Sequence, residues 1–281
     1  QNLLRGEILY PDPWLLETRY TMRLRLYGLS QTFKDYSKTE YGFRPELTRR
    51  FGRHFQGSLF LLSRAVQIDN TGNIDPADLG STNYITSSLG LSLTLDYRDS
   101  VLNPTKGWVV NATVDFASAA FGSSVDFIRS TGRFSYYLPI GETLLAVGLR
   151  GGIIAPLGDP TELPIDERFF TGGSRSVRSY VNRSLGPKDR AGHSIGGQTF
   201  AVFNIEHVFP IKGDLQGAVF FDAGSVGRTV SDGFGVTGLA IGAGLRYKTP
   251  IGPLRLDYGH NPVGGKNQPD GAWHFSFGFA F

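Results

Sequence analysis

The chain has 281 residues, 37 of them glycine, 21 phenylalanine and 12 tyrosine, with 19% charged residues and a formal net charge of +3. It holds no cysteine, which excludes a disulfide framework and a thiolate zinc site. So small a net charge gives no basis for a nucleic-acid partner, and no apolar run of about 18 residues is present to form a membrane-crossing helix. The chain opens at Gln1 and its one methionine is Met22, so it is expected to be a processed product or a fragment.

Apolar residues recur at every second position, the period of a strand with two unlike faces. Segments with this signal are predicted at 2–10, 15–28, 40–51, 54–68, 84–98, 107–118, 126–139, 143–154, 198–210, 215–225, 237–248, 252–259 and 273–281. In the third, Tyr41, Phe43, Leu47 and Phe51 oppose Arg44, Glu46, Thr48 and Arg50. In the fifth, Leu89, Leu91, Leu93, Leu95 and Tyr97 oppose Ser88, Gly90, Ser92, Thr94, Asp96 and Arg98. Trp108, Val110, Ala112, Val114 and Phe116 continue the pattern, as do Leu239, Ile241, Ala243, Leu245 and Tyr247. The last segment places Phe275, Phe277, Phe279 and Phe281 on one face. Four rings on one face suit contact with lipid and would make a soluble edge strand prone to aggregate.

The opposite face carries Arg23, Arg25, Arg129, Arg133, Arg150, Glu206, Asp222, Arg246, Arg255 and Asp257. So many charges on one sheet face suit a hydrated lumen, and the predicted fold is an all-β, antiparallel transmembrane barrel. A mean hydropathy of −0.14 agrees with strands that alternate between lipid and water. Tight turns at 139–142 and 249–252 contrast with long polar loops at 69–83 and 156–197, the asymmetry of outer-membrane barrels. Closed bacterial barrels have even strand numbers, so 12 or 13 strands are expected, with one segment open to revision. A stretch as long as 156–197 without strand signal is expected to be functional.

Within that loop lies Phe169-Phe170-Thr171-Gly172-Gly173-Ser174-Arg175-Ser176-Val177-Arg178-Ser179-Tyr180. It resembles the conserved loop of the outer-membrane protein assembly family, the BamA/TamA-type bacterial surface antigen barrels. Gly172, Gly173, Val177, Arg178 and Tyr180 match the family pattern, and Ser179 stands where the family usually has glycine. Asn204–Pro210, Val219–Val226 and Gly242–Tyr258 resemble the strands that follow that loop. The resemblance is ordered over about 84–281 and weaker over 1–83.

The resemblance implies that this chain is the C-terminal part of a 16-stranded barrel, without the periplasmic POTRA domains that usually precede it. It implies residence in the bacterial outer membrane, or in an organelle outer membrane of bacterial origin. The implied partners are membrane lipids, lipopolysaccharide, client outer-membrane proteins, and accessory lipoproteins or further copies of the chain. The implied activity is insertion of other barrels, or translocation, at a weak seam beside the last strand, with Phe275–Phe281 as signal and gate. It also implies that loop 156–197 folds into the lumen. Alternation points Glu206 and Asp222 inward, so Arg178 is expected to take both carboxylates as a clamp that pins the loop.

No covalent chemistry is needed, and no catalytic residue, cofactor or metal is assigned. Gly192-His193-Ser194-Ile195-Gly196 matches a hydrolase nucleophile elbow, but no strand-to-helix turn surrounds it. The five histidines lack metal-ligand spacing, and His207 and His274 are read as interface or local packing residues. Trp14, Trp108 and Trp273 fall near strand ends, as girdle residues do. Two other readings stay open: a barrel that anchors an N-terminal passenger such as a lipase, and a passive channel.

Overall fold

The computed structural model describes residues 2–72, 74–157, 163–264 and 268–278. Among these residues thirteen strands form one sheet in chain order. They are β1 (Asn2–Asp12), β2 (Tyr20–Thr32), β3 (Tyr36–Phe51), β4 (Phe55–Asn70) and β5 (Asn83–Asp96). There follow β6 (Gly107–Ala117), β7 (Phe127–Ile140), β8 (Thr143–Pro156) and β9 (Thr199–Lys212). The last four are β10 (Leu215–Gly227), β11 (Val236–Tyr247), β12 (Leu254–His260) and β13 (Gly271–Phe277). Each strand pairs antiparallel with the next. Among the described residues, no pairing joins β13 to β1.

The two faces are inverted relative to a soluble sandwich. Leu89, Leu91 and Leu93 of β5 lie open on the outer face, whereas Ser88, just before Leu89, is fully buried. The apolar face turned outward is the arrangement that lipid stabilises. On the inner face hydroxyls bond across strands: Thr48 to Ser58 at 2.8 Å, Ser63 to Ser87 at 2.9 Å and Ser92 to Thr113 at 3.1 Å.

Among the described residues the strand count is 13, within the expected 12 or 13. Two expectations are corrected. The second strand begins at Tyr20, because Leu15–Glu17 form a short 3-10 turn in which Leu16 has a φ of 50°. The inner face is not uniformly hydrated. At the long-loop end Tyr36, Val66, Ile68 and Tyr84 point inward and pack with Ile74, Leu79, Ile165 and Ile195 from the loops. A short helix α1 (Pro76–Leu79), capped by the Asp75 carboxylate on the Ala77 amide, carries Leu79 into this plug. No helix among the described residues is long and apolar enough to cross a membrane.

The loop between β8 and β9 lies inside the curled sheet. It touches β3 through Lys38, β10 through Asp222 and β13 through His274, so the sheet wraps around it. Phe275 and Phe277 project from β13 on the exposed face, 76% and 42% accessible. Phe279 and Phe281 lie outside the described residues.

Candidate functional site

The loop segment 172–180 is folded on itself before it meets the wall. Gly172 and Gly173 have φ of 98° and 107°, values that side chains rarely adopt. A Cβ on Gly172 would stand 2.6 Å from the Val181 carbonyl. The Gly173 amide donates to the carbonyls of Tyr180 at 3.0 Å and Val177 at 3.3 Å, which closes the segment into a compact knuckle. Ser179 needs no left-handed backbone, and its hydroxyl donates to the Leu239 carbonyl at 2.5 Å. The serine therefore ties the loop tip to β11 where glycine could not.

Arg178 projects from this knuckle and is fully buried. Its Nε and Nη2 each donate to Asp222 at 2.8 Å, its backbone amide donates to the same carboxylate at 3.1 Å, and Nη1 donates to Glu206 at 2.5 Å. The guanidinium lies over the Phe220 ring, 3.3 Å from its centroid. Such forked, charge-assisted bonds fix orientation as well as position. Burial alone would weaken the guanidinium's hold on its proton, but the Asp222 bonds and the fields of Asp222, Glu206 and Asp257 outweigh it and raise its pKa.

The cluster is larger than the motif implies. Arg246 bonds Glu206 at 3.0 Å and Asp257 at 2.5 Å, and Arg255 bonds Asp257 at 2.7 Å. Three guanidiniums (Arg178, Arg246, Arg255) meet three carboxylates (Glu206, Asp222, Asp257), so the buried network is neutral. That balance is what permits six charges to leave water together. Asn204 completes it, donating to Asp222 and to the Ser176 carbonyl at 2.7 Å each. His274 of β13 bonds the Arg178 carbonyl through Nε2 at 3.0 Å, so it packs on the loop and not at a membrane interface.

Glycines on the wall form the sockets for the knuckle. A Cβ on Gly224 would come 2.6 Å from Val177, and one on Gly238 would come 2.6 Å from Tyr180. On Gly259 it would collide with the backbone carbonyl of Arg178. Val177, Tyr180, Leu185 and Ala240 then close as a buried apolar cluster. Tyr180 also reaches Gln268 through its hydroxyl at 3.0 Å.

A second attachment, which the sequence reading missed, holds the other limb of the loop. Glu167 accepts from Arg64 at 2.5 Å, Thr86 at 2.9 Å and Arg129 at 3.2 Å, and Asp166 pairs with Lys38 at 2.9 Å. Burial would raise the Glu167 pKa, but Arg64 and Arg129 hold it below its ordinary value. The available signal was the adjacent pair Asp166-Glu167 in the long loop, with Arg64 and Arg129 on predicted strands as candidate partners. Gly192–Gly196 runs through irregular loop with no following helix, and Ser194 bridges to Lys188.

The model of the Omp85 superfamily domain matches residues 2–281. The outer membrane protein assembly factor BamA of Nitratidesulfovibrio vulgaris is 32% identical over 206 residues, covering 70% of this chain and 26% of that protein. BamA of Neisseria meningitidis serogroup B is 32% identical over 197 residues, covering 58% and 24%. The chain thus spans about a quarter of the length of these relatives. The crystal structure of BamA from Haemophilus ducreyi lacking POTRA domains 1-3 superposes with a TM-score of 0.84 at 17% identity, over 97% of this chain and 61% of that one. The folded-in loop, its clamp and a sequence match over nearly the whole length identify this chain as a member of the Omp85 superfamily.

Proposed function

We propose that this chain is the barrel of an outer-membrane assembly factor, which inserts β-barrel clients at a seam beside its last strand. The observation that carries the reading is the link between the clamped loop and β13. His274 bonds the Arg178 carbonyl, and Arg175 reaches the Phe277 carbonyl at 3.5 Å. The state of the loop therefore bears directly on the strand whose outer edge would receive a client by β-augmentation. The outward rings of Trp273, Phe275 and Phe277 support contact of that strand with lipid. Clients, lipids including lipopolysaccharide, and accessory lipoproteins or further copies are the partners this reading requires. The work is strand exchange and needs no catalytic group, so the chain is not an enzyme in this reading.

The test is depletion of the protein in its source cell, with rescue by the wild type or by Arg178→Ala. Outer-membrane levels of other barrel proteins are expected to fall on depletion and to recover with the wild type only. Unchanged levels of those proteins on depletion would overturn the assembly reading and leave the channel or passenger-anchor reading in its place.

A further inference from the structure

The inward arginines differ in how their charge is compensated. Arg64, Arg129, Arg178, Arg246 and Arg255 each stand within ion-pair distance of a carboxylate. Among the described residues Arg133, Arg150 and Arg175 do not, and these three line one cavity of about 260 Å³. Arg98 also borders it, but Asp96 already neutralises that guanidinium through bonds of 2.9 and 2.7 Å.

These three charges, without a carboxylate partner among the described residues, are held together by the fold. Arg133 and Arg150 are direct partners across β7 and β8. Like charges directly opposite destabilise a sheet, unless an anion between them reverses the sign of the interaction. The loop adds the third, because Arg150 Nη2 donates to the Arg175 backbone carbonyl. Arg150 Nε is buried with no acceptor among the described residues, a polar group whose desolvation a ligand oxygen would offset.

The shape selects among anions. A carboxylate has two oxygens and satisfies one fork, whereas three guanidiniums lining one cavity match the more numerous oxygens of a phosphate. The rim is apolar: Val101, Leu102 and Ile251 are 69%, 60% and 69% exposed beside the cavity. Arginines beside exposed apolar side chains in one cavity fit an anionic headgroup with a hydrocarbon attached. We propose that this cavity binds the phosphate of an amphiphile, a phospholipid headgroup, with Arg133, Arg150 and Arg175 as its ligands.

The experiment titrates the purified full chain, in uncharged phosphate-free detergent, with dihexanoyl phosphatidylglycerol and separately with inorganic phosphate. Calorimetry and ³¹P NMR report binding. Saturable binding of the lipid is expected, tighter than that of phosphate, and Arg133→Gln or Arg150→Gln is expected to weaken it about tenfold. Arg19→Gln, in an exposed turn, is the control expected to bind as the wild type does. Arg175→Gln lies on the exposed side of the loop and gives the same test if the strand variants fail to fold. Absence of saturable lipid binding, or binding unaffected by all three substitutions, would overturn the site. Equal affinity for the two probes would overturn its assignment to an amphiphile.

Discussion

Arg178 and Asp222 are joined three times. Two guanidinium nitrogens at 2.8 Å and the Arg178 backbone amide at 3.1 Å all donate to the one carboxylate. Because the backbone takes part, the contact fixes the main chain of the loop and not only a side chain. Arg178→Ala removes one side of a buried network: Glu206 keeps Arg246, but Asp222 loses the guanidinium that pairs with it. The expected loss is about 3–5 kcal/mol. Arg178→Lys keeps the charge but cannot make the fork, and is expected to fall between the two. Thermal melting and protease cleavage within the loop report the effect; a wild-type cleavage rate in Arg178→Ala would show that the clamp does not hold the loop.

The glycine sockets offer a test that leaves every charge in place. Gly259→Ala would press a methyl against the Arg178 backbone, whereas Gly132, on the same sheet, has nothing within 4 Å of an added Cβ. Gly259→Ala is expected to destabilise the docked loop by about 1–3 kcal/mol, as overpacking does, with Gly132→Ala near neutral. Hydrogen exchange at the amides of 172–180 is the measurement, and equal protection in the two variants would refute the socket reading.

At the other attachment the dependence on pH has a definite sign. Glu167 has a folded pKa below its ordinary value of 4.5, held there by Arg64 and Arg129 against the effect of burial. A carboxylate whose pKa is depressed on folding contributes stability that is fully present above the unfolded value and is lost as pH falls through the folded one. The wild-type loop is therefore expected to loosen progressively below about pH 4.5. Glu167→Gln should be weaker at neutral pH and flatter in acid. Proteolysis measured from pH 7 to pH 3 would show parallel curves if Glu167 plays no part.

Ser179 makes a prediction against the family pattern. Ser179→Gly restores the usual residue but removes the bond to Leu239 and adds backbone freedom to the unfolded chain. A net loss of about 1–2 kcal/mol is expected, read as a lower melting temperature. A rise in melting temperature would mean that the tip is strained by its serine.

The thirteen strands were legible because lipid and lumen impose opposite demands on successive residues. The reading failed where those demands relax. Leu16 is in phase with Met22 and Leu24 but sits in a turn, and β3 begins at Tyr36, four residues before its predicted start, because an inward aromatic belongs to the loop-end plug. For the site, alternation placed Glu206 and Asp222 inward, and the motif supplied Arg178. Which other inward charges would join them depends on strand stagger, which alternation does not encode. Hence Arg246, Arg255 and Asp257 were read as lumen charges without being joined to the clamp. Arg64 and Glu167 lie 103 positions apart, too far for any local pattern to pair them.

The two attachments have opposite polarity. At β3, β4 and β7 the loop brings the acid and the wall the base; at β9 and β10 the loop brings the base and the wall the acid. The loop consequently has one electrostatically permitted orientation, since turning it end for end would set like charges against each other at both sites. The same asymmetry gives biogenesis a direction. Partners for Asp166 and Glu167 are synthesised before the loop, and partners for Arg178 only after it. The loop can settle on the first wall as it emerges, but the second lock must wait for the remaining strands. Its closure then records that the C-terminal half has arrived.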